Sequence, residues 1–96
     1  MHSVGMTEAM VQRQIIDGLK ARGAEVVVTH NAKRKPVTVG VTDLIAILPG
    51  GRALWIEVKG EGGTASEEQL SFNARLRALG HTAIIARGWD DCERHI

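Results

Sequence analysis

The chain is poor in several residue types that would indicate particular classes of protein. Its single cysteine, Cys92, excludes an intrachain disulfide and favours a reducing setting such as the cytoplasm. It contains one phenylalanine, two tryptophans and no tyrosine, so an aromatic platform for stacking bases is not expected. Its apolar runs are too short to span a membrane, and its start lacks the basic and apolar regions of a signal peptide. The net charge of +1 does not by itself indicate a nucleic-acid binder.

The order of helical and extended patterns predicts a single α/β domain in this 96-residue chain. Thr7 can cap a first helix, and Gly23 is placed to end it. In order, the chain reads as a helix (7–22), three strands (24–30, 42–48 and 53–58), a second helix (67–79) and a last strand (81–87). This order predicts an αβββαβ sandwich around a small mixed sheet. The core of the domain is expected at about 7–87, and no pattern places the tail (88–96).

Each helix carries an apolar stripe that is predicted to face the sheet. In the first helix, Glu8 lies on the same stripe as the apolar residues, so it either interacts with the helix dipole, as a first-turn glutamate usually does, or points inward. In the second helix, a polar residue, Gln69, begins the stripe. The two stripes consist of Val11, Ile15 and Leu19, and of Gln69, Phe72, Leu76 and Leu79.

The second and third strands form a hairpin around Pro49-Gly50-Gly51. If these three residues are the loop, Leu48 faces Arg52, and Asp43 then lies opposite Glu57. Cross-strand neighbours are about 4.5–5.5 Å apart at Cβ. Lys59 follows Glu57 by two residues and points to the same face. A two-residue loop would shift this register by one and turn the two acids apart.

Two facing carboxylates on an apolar sheet repel each other, and each loses hydration. Either one of them binds a proton or a cation lies between them. A hard divalent cation such as Mg²⁺ fits, because it takes oxygen ligands and keeps waters that a phosphate can replace. The alternative is an ordinary cross-strand salt bridge between Lys59 and either acid, and this pattern alone leaves both interpretations open.

Two other segments have an ordinary and a functional interpretation. Gln69 completes a capping box with Ser66, yet it also begins the sheet-facing stripe and could reach the carboxylates. The basic segment (30–36) is either a solvated turn or a clamp on a nucleic-acid backbone. In the second case the phosphate contacts are expected from Lys33, Arg34 and Lys35.

The motifs "GVTD", "WIEVKG" and "SEEQLSFNARLRALG", followed by a short apolar strand, resemble those of the VRR-NUC family. This family is the virus-type replication-repair nuclease branch of the PD-(D/E)XK superfamily, and the likeness runs from Glu8 to about Arg87. It implies the restriction-endonuclease-like fold. Because this chain has nothing beyond the domain, it resembles the compact stand-alone proteins of phages and prophages.

The resemblance implies a metal site at the hairpin. Asp43 and Glu57 match the metal-binding acids, and the carbonyl of Val58 would be a further ligand. Glu8 resembles the first-helix glutamate that assists the metal site, directly or through water. One departure is Thr42, which stands where the family usually has proline. It alters the local backbone but removes no ligand.

The resemblance also implies the reaction. Lys59 matches the catalytic lysine, and Gln69 matches the glutamine of the second helix. The expected activity is Mg²⁺- or Mn²⁺-dependent hydrolysis of DNA phosphodiester bonds that leaves 5′-phosphate ends. By analogy with junction resolvases, a homodimer acting on branched DNA such as Holliday junctions is expected. The alternative is a non-catalytic DNA-binding or assembly module that keeps the fold; the modest net charge favours it mildly, and the presence of every expected active-site residue argues against it.

Overall fold

The computed structural model describes residues 5–30 and 33–96, which form an α/β fold with a single four-stranded sheet. The elements are α1 (Glu8–Ala21), β1 (Glu25–Val28), β2 (Leu44–Ile47), β3 (Ala53–Val58), α2 (Glu67–Ala78), β4 (Thr82–Ala86) and α3 (Trp89–Glu93). The strands follow chain order in the sheet, and β1, β2 and β3 are antiparallel while β4 is parallel to β3. The predicted αβββαβ order and mixed sheet are therefore confirmed.

The hairpin has the predicted register. Leu44 pairs with Ile56 and Ile47 with Ala53, and the backbone N–H of Leu48 donates to the carbonyl of Arg52 at 2.8 Å. Gly50 and Gly51 both adopt positive φ, which their lack of a Cβ permits. The Pro-Gly-Gly loop thus places the residues before β2 beside the carboxyl end of β3.

The predicted stripe of α1 forms part of the core. Val11, Ile15 and Leu19 are fully buried and pack in one cluster with β2 and β3. The prediction that the α2 stripe faces the sheet is partly wrong, because Leu79 is 77% exposed while the polar Asn73 is buried. Leu79 is the C-cap residue and lies beyond the last residue of the helix.

The tail, which no sequence pattern placed, forms α3 and closes one side of the core. Its Cys92 is fully buried in the core cluster, and Trp89 packs against that cluster. A Cβ on Gly18 would come within 2.5 Å of the Trp89 ring, so α1 and α3 approach closely there. Within the described residues, no helix is long and apolar enough to cross a membrane.

Two further close approaches bring both long helices to the carboxyl end of β3. A Cβ on Gly40 would lie 2.3 Å from the carbonyl oxygen of Glu68, so the chain before β2 contacts the start of α2. A Cβ on Gly60 would lie 2.5 Å from the backbone nitrogen of Glu8. The first turns of α1 and α2 are therefore held near the end of β3, where the predicted site lies.

Candidate active site

Asp43 and Glu57 occupy the two facing positions at the end of the hairpin, as the register requires. Both are buried, with exposed fractions of 6% and 1%. Asp43 is also fixed by the partner strand, since the backbone N–H of Val58 donates to Asp43 Oδ2 at 2.8 Å. The hairpin thus holds two acids in a region with little access to solvent.

Glu57 is in an environment that disfavours its charge. Burial raises the pKa of Glu57 to about 8, and the neighbouring Asp43 carboxylate adds to this rise while Lys59 opposes it. Within the described part of the chain, Glu57 Oε1 is buried and has no hydrogen-bond partner. A buried carboxylate oxygen with no partner is costly, so this atom is suited to a cation or a proton.

Lys59 lies beside Glu57 on the same face, as the strand period predicts. Its Nζ is 3.3 Å from Glu57 Oε2 and 3.9 Å from Glu8 Oε1. The Lys59 side chain is largely buried, whereas that of Glu8 is 54% exposed. The contact between Lys59 and Glu57 that an ordinary salt bridge requires is therefore present, but it involves Oε2, and among the described residues Oε1 of Glu57 has no partner.

Gln69 makes both of the contacts considered for it. Its Oε1 accepts from the backbone N–H of Ser66 at 2.9 Å, which completes the capping box. Its Nε2 donates to Glu57 Oε2 at 2.7 Å. The start of α2 is therefore joined directly to the acid on β3 through one side chain.

His30, directly after β1, is a polar contact of the site that sequence reasoning did not single out. Its Nε2 is 3.2 Å from Asp43 Oδ1, and its Nδ1 is 3.0 Å from the hydroxyl oxygen of Thr29. Sequence reasoning saw His30 only as the first residue of the basic segment. The pairing of β1 with β2 brings it to Asp43, and no local pattern shows that long-range contact.

A cleft of about 640 Å³ between α1 and the end of β1 leads to Asp43. Its polar lining comes from both walls and includes Glu8, Gln12, Arg13, His30 and Asp43. Of the predicted phosphate contacts, Lys33, Arg34 and Lys35 are all exposed. Residues 31 and 32 of the same basic segment lie outside the described residues.

The chain is similar to a curated protein and to a solved structure. No family model matches the chain. A curated relative from Acyrthosiphon pisum secondary endosymbiont phage 1, named "Putative nuclease p44", is 39% identical over 51 residues, which is 53% of this chain. The match spans only 55% of that relative's length.

A solved structure named "VRR_NUC domain" superposes with a TM-score of 0.73 at 24% identity. The superposition covers 93% of this chain and 94% of the solved one. The chain therefore has the fold of a VRR_NUC domain, as the motifs in its sequence indicated.

Proposed function

We propose that this protein is a metal-dependent endodeoxyribonuclease that hydrolyses phosphodiester bonds in branched DNA such as Holliday junctions. The observation that carries the proposal is the convergence of two buried facing acids with a lysine, 3.3 Å from one of them, on a VRR_NUC fold. The name of the phage relative supports the nuclease assignment. The acids are Asp43 and Glu57, and the lysine is Lys59.

The donor atoms at this end of the hairpin fit Mg²⁺ or Mn²⁺. Asp43, Glu57 and the carbonyl of Val58 would hold the cation, with Glu8 assisting directly or through water. Among residues 5–30 and 33–96, no three His, Cys, Asp or Glu side chains are grouped so that they could hold a metal ion. Mg²⁺ commonly uses only one or two carboxylates and keeps several waters, so this donor set remains suitable.

The side chains around the acids have separate roles in the proposed reaction. A bound divalent cation would lower the pKa of water and offset the negative charge of a phosphate. Lys59 holds its ammonium group where it can orient the attacking water and stabilise the charge that grows on the phosphoryl oxygens. Gln69 donates to Glu57 Oε2 and so fixes the orientation of that carboxylate.

The DNA strand is proposed to run past the cleft between α1 and β1. Lys33, Arg34 and Lys35 follow His30 in the chain and are exposed, so they can contact phosphates on either side of the cut. A homodimer would present two such sites to the two strands cut in a four-way junction. Such a dimer would also add buried surface to the modest core of this domain.

Cleavage of a panel of labelled DNA substrates in Mg²⁺ or Mn²⁺ tests the proposal. We expect four-way junctions to be cut faster than linear duplex, with 5′-phosphate ends on the products. Lys59→Met should still bind metal yet lose cleavage, because it removes the ammonium group and leaves both carboxylates in place. Cleavage of none of the substrates by the folded protein would instead favour the non-catalytic module.

A further inference from the structure

The hydrogen bonds of Thr29 determine which nitrogen of the His30 ring carries a proton. The Thr29 hydroxyl is 2.6 Å from the carbonyl oxygen of Thr42 and 3.1 Å from that of Asp43. Carbonyl oxygens only accept, so the single hydroxyl hydrogen is committed to them. The contact of 3.0 Å between Thr29 Oγ1 and His30 Nδ1 must then be a bond that Nδ1–H donates.

This assignment fixes what His30 presents to Asp43. With the proton of a neutral ring on Nδ1, the Nε2 atom carries a lone pair, and it lies 3.2 Å from Asp43 Oδ1. A neutral ring with this tautomer can therefore offer a nitrogen ligand to a cation held by Asp43.

We propose that His30 Nε2 is a nitrogen ligand of the cation held by Asp43, and that the site therefore binds first-row transition ions more tightly than Mg²⁺. This inference rests on the proposed function, because it takes the cation at Asp43 as given. The inference adds a nitrogen ligand to the oxygen ligands already proposed for the cation. Imidazole suits transition ions, whereas Mg²⁺ prefers oxygen.

The spacing of the two atoms suits a pair of neighbouring ligands. In an octahedral site with bonds of about 2.1 Å, adjacent ligands lie about 3.0 Å apart. The distance of 3.2 Å between His30 Nε2 and Asp43 Oδ1 is close to this distance between adjacent ligands. No three His, Cys, Asp or Glu side chains converge in the described residues, so waters and phosphate oxygens would complete the ligands around this pair. Glu57 Oε1, which is buried and has no hydrogen-bond partner among the described residues, is a further oxygen suited to the same cation.

The environment of His30 agrees with a ligand rather than a solvated side chain. The ring lines the cleft with Glu8 and Asp43, and its side chain is 30% exposed. The Thr29 hydroxyl supports Nδ1, and metal-binding histidines characteristically donate their other ring N–H to such an oxygen. The arrangement thus contains both the ligand atom and the group that orients it.

Calorimetric titration with Co²⁺ and Mg²⁺ tests the proposal on the wild type and on His30→Ala and His30→Gln. We expect both variants to weaken Co²⁺ binding by at least about tenfold and to change Mg²⁺ binding little. The glutamine amide can donate a hydrogen bond to Asp43 but has no imidazole lone pair. If His30 merely orients Asp43, His30→Gln should bind Co²⁺ like the wild type. If His30 is a ligand, His30→Gln should bind Co²⁺ as weakly as His30→Ala.

A second measurement detects the bond between the metal ion and the His30 nitrogen. Pulsed electron paramagnetic resonance of the Mn²⁺-loaded protein, with histidine labelled by ¹⁵N, should show nitrogen coupling that His30→Ala removes and His95→Ala retains. Metal binding that depends on Glu57 without such coupling would overturn the role of His30 and leave the proposed function intact. If the folded wild type binds neither Mn²⁺ nor Co²⁺, both proposals fail.

Discussion

The backbone N–H of Val58 donates to Asp43 Oδ2 at 2.8 Å, so one proposed metal ligand also ties the two strands of the hairpin together. Asp43→Ala therefore leaves a buried N–H without a partner. We expect this variant to lose about 1–3 kcal/mol in free energy of unfolding. Asp43→Asn keeps an acceptor for Val58 and should be closer to the wild type in stability.

Both Asp43 variants should lose DNA cleavage, because each removes the negative charge. Urea unfolding beside a cleavage assay separates the two effects. Asp43→Asn is the more informative variant, since a loss of activity in Asp43→Ala can follow from unfolding alone. Full cleavage by a folded Asp43→Asn protein would show that this carboxylate is not needed.

The two contacts of Gln69 can be separated by a pair of substitutions at the start of α2. Gln69→Glu preserves the capping box but replaces the amide donor with a second acid facing Glu57. Ser66→Ala removes the cap and should cost about 1 kcal/mol while leaving the Gln69 amide in place. We expect cleavage to fall strongly in Gln69→Glu and to stay near the wild-type rate in Ser66→Ala.

Thermal unfolding and cleavage rates of this pair are the measurements. If Gln69 acts only as a cap residue, the pattern reverses: Ser66→Ala becomes the more defective protein, and Gln69→Glu cleaves normally.

The raised pKa of Glu57 gives a stability that depends on pH. Its ordinary pKa is 4.5 and the folded value is about 8, so between these limits the folded state holds a proton that the unfolded state has released. The stabilising contribution is full below pH 4.5 and falls as the pH rises to about 8. In metal-free buffer, the wild type should lose up to about 1.4 kcal/mol per pH unit relative to Glu57→Gln.

Denaturant unfolding of the two proteins between pH 5 and pH 9 measures this difference. Mg²⁺ should stabilise the wild type more at the alkaline end, because the cation competes with the proton on Glu57. A constant difference between the wild type and Glu57→Gln across the range would contradict the assigned environment of Glu57.

The reactivity of the single cysteine, Cys92, reports how well α3 is packed on the core. Burial raises the pKa of the Cys92 thiol to about 12, with a smaller rise from the charge of Asp91, so the native protein should react slowly with thiol reagents. Gly18→Ala places a methyl group against the Trp89 ring. Such overpacking costs about 1–3 kcal/mol, more than the roughly 1 kcal/mol gained in helix propensity.

Gly18→Ala should therefore expose Cys92 to reagent faster than the wild type. Asp17→Ala, at the exposed neighbouring position of α1, is the matched control and should react at the wild-type rate. Equal reactivity of all three proteins would show that the contact between α1 and α3 does not protect the thiol.

Local patterns predicted the parts of the site that depend on local geometry. The Pro-Gly-Gly loop fixes the register that makes Asp43 face Glu57, and the strand period places Lys59 on the same face. The helical period brought Gln69 to them. Each of these features depends on one turn or on the period of one strand or helix, so the arrangement of side chains at the end of the hairpin can be predicted from local sequence.

The parts that sequence reasoning missed depend on contacts between distant segments. His30 reaches Asp43 only because β1 pairs with β2, and nothing in residues 24–30 reveals that partner. Asn73 is buried although its amide atoms have no hydrogen-bond partner within the described residues, a position that an apolar periodicity cannot predict. α3 is too short for a helical period to stand out, and it is packing through Cys92 and Trp89 that defines its position.

The proposed function assigns DNA hydrolysis to the facing acids of the hairpin. The most direct test is the rate at which excess protein cleaves a labelled four-way junction in Mn²⁺, for the wild type and Glu57→Gln. The substitution removes one charge and is nearly isosteric, so the fold should be retained. We predict cleavage by the wild type and a loss of at least about a hundredfold in Glu57→Gln. Equal rates for the two proteins, or no cleavage by either, would contradict the claim.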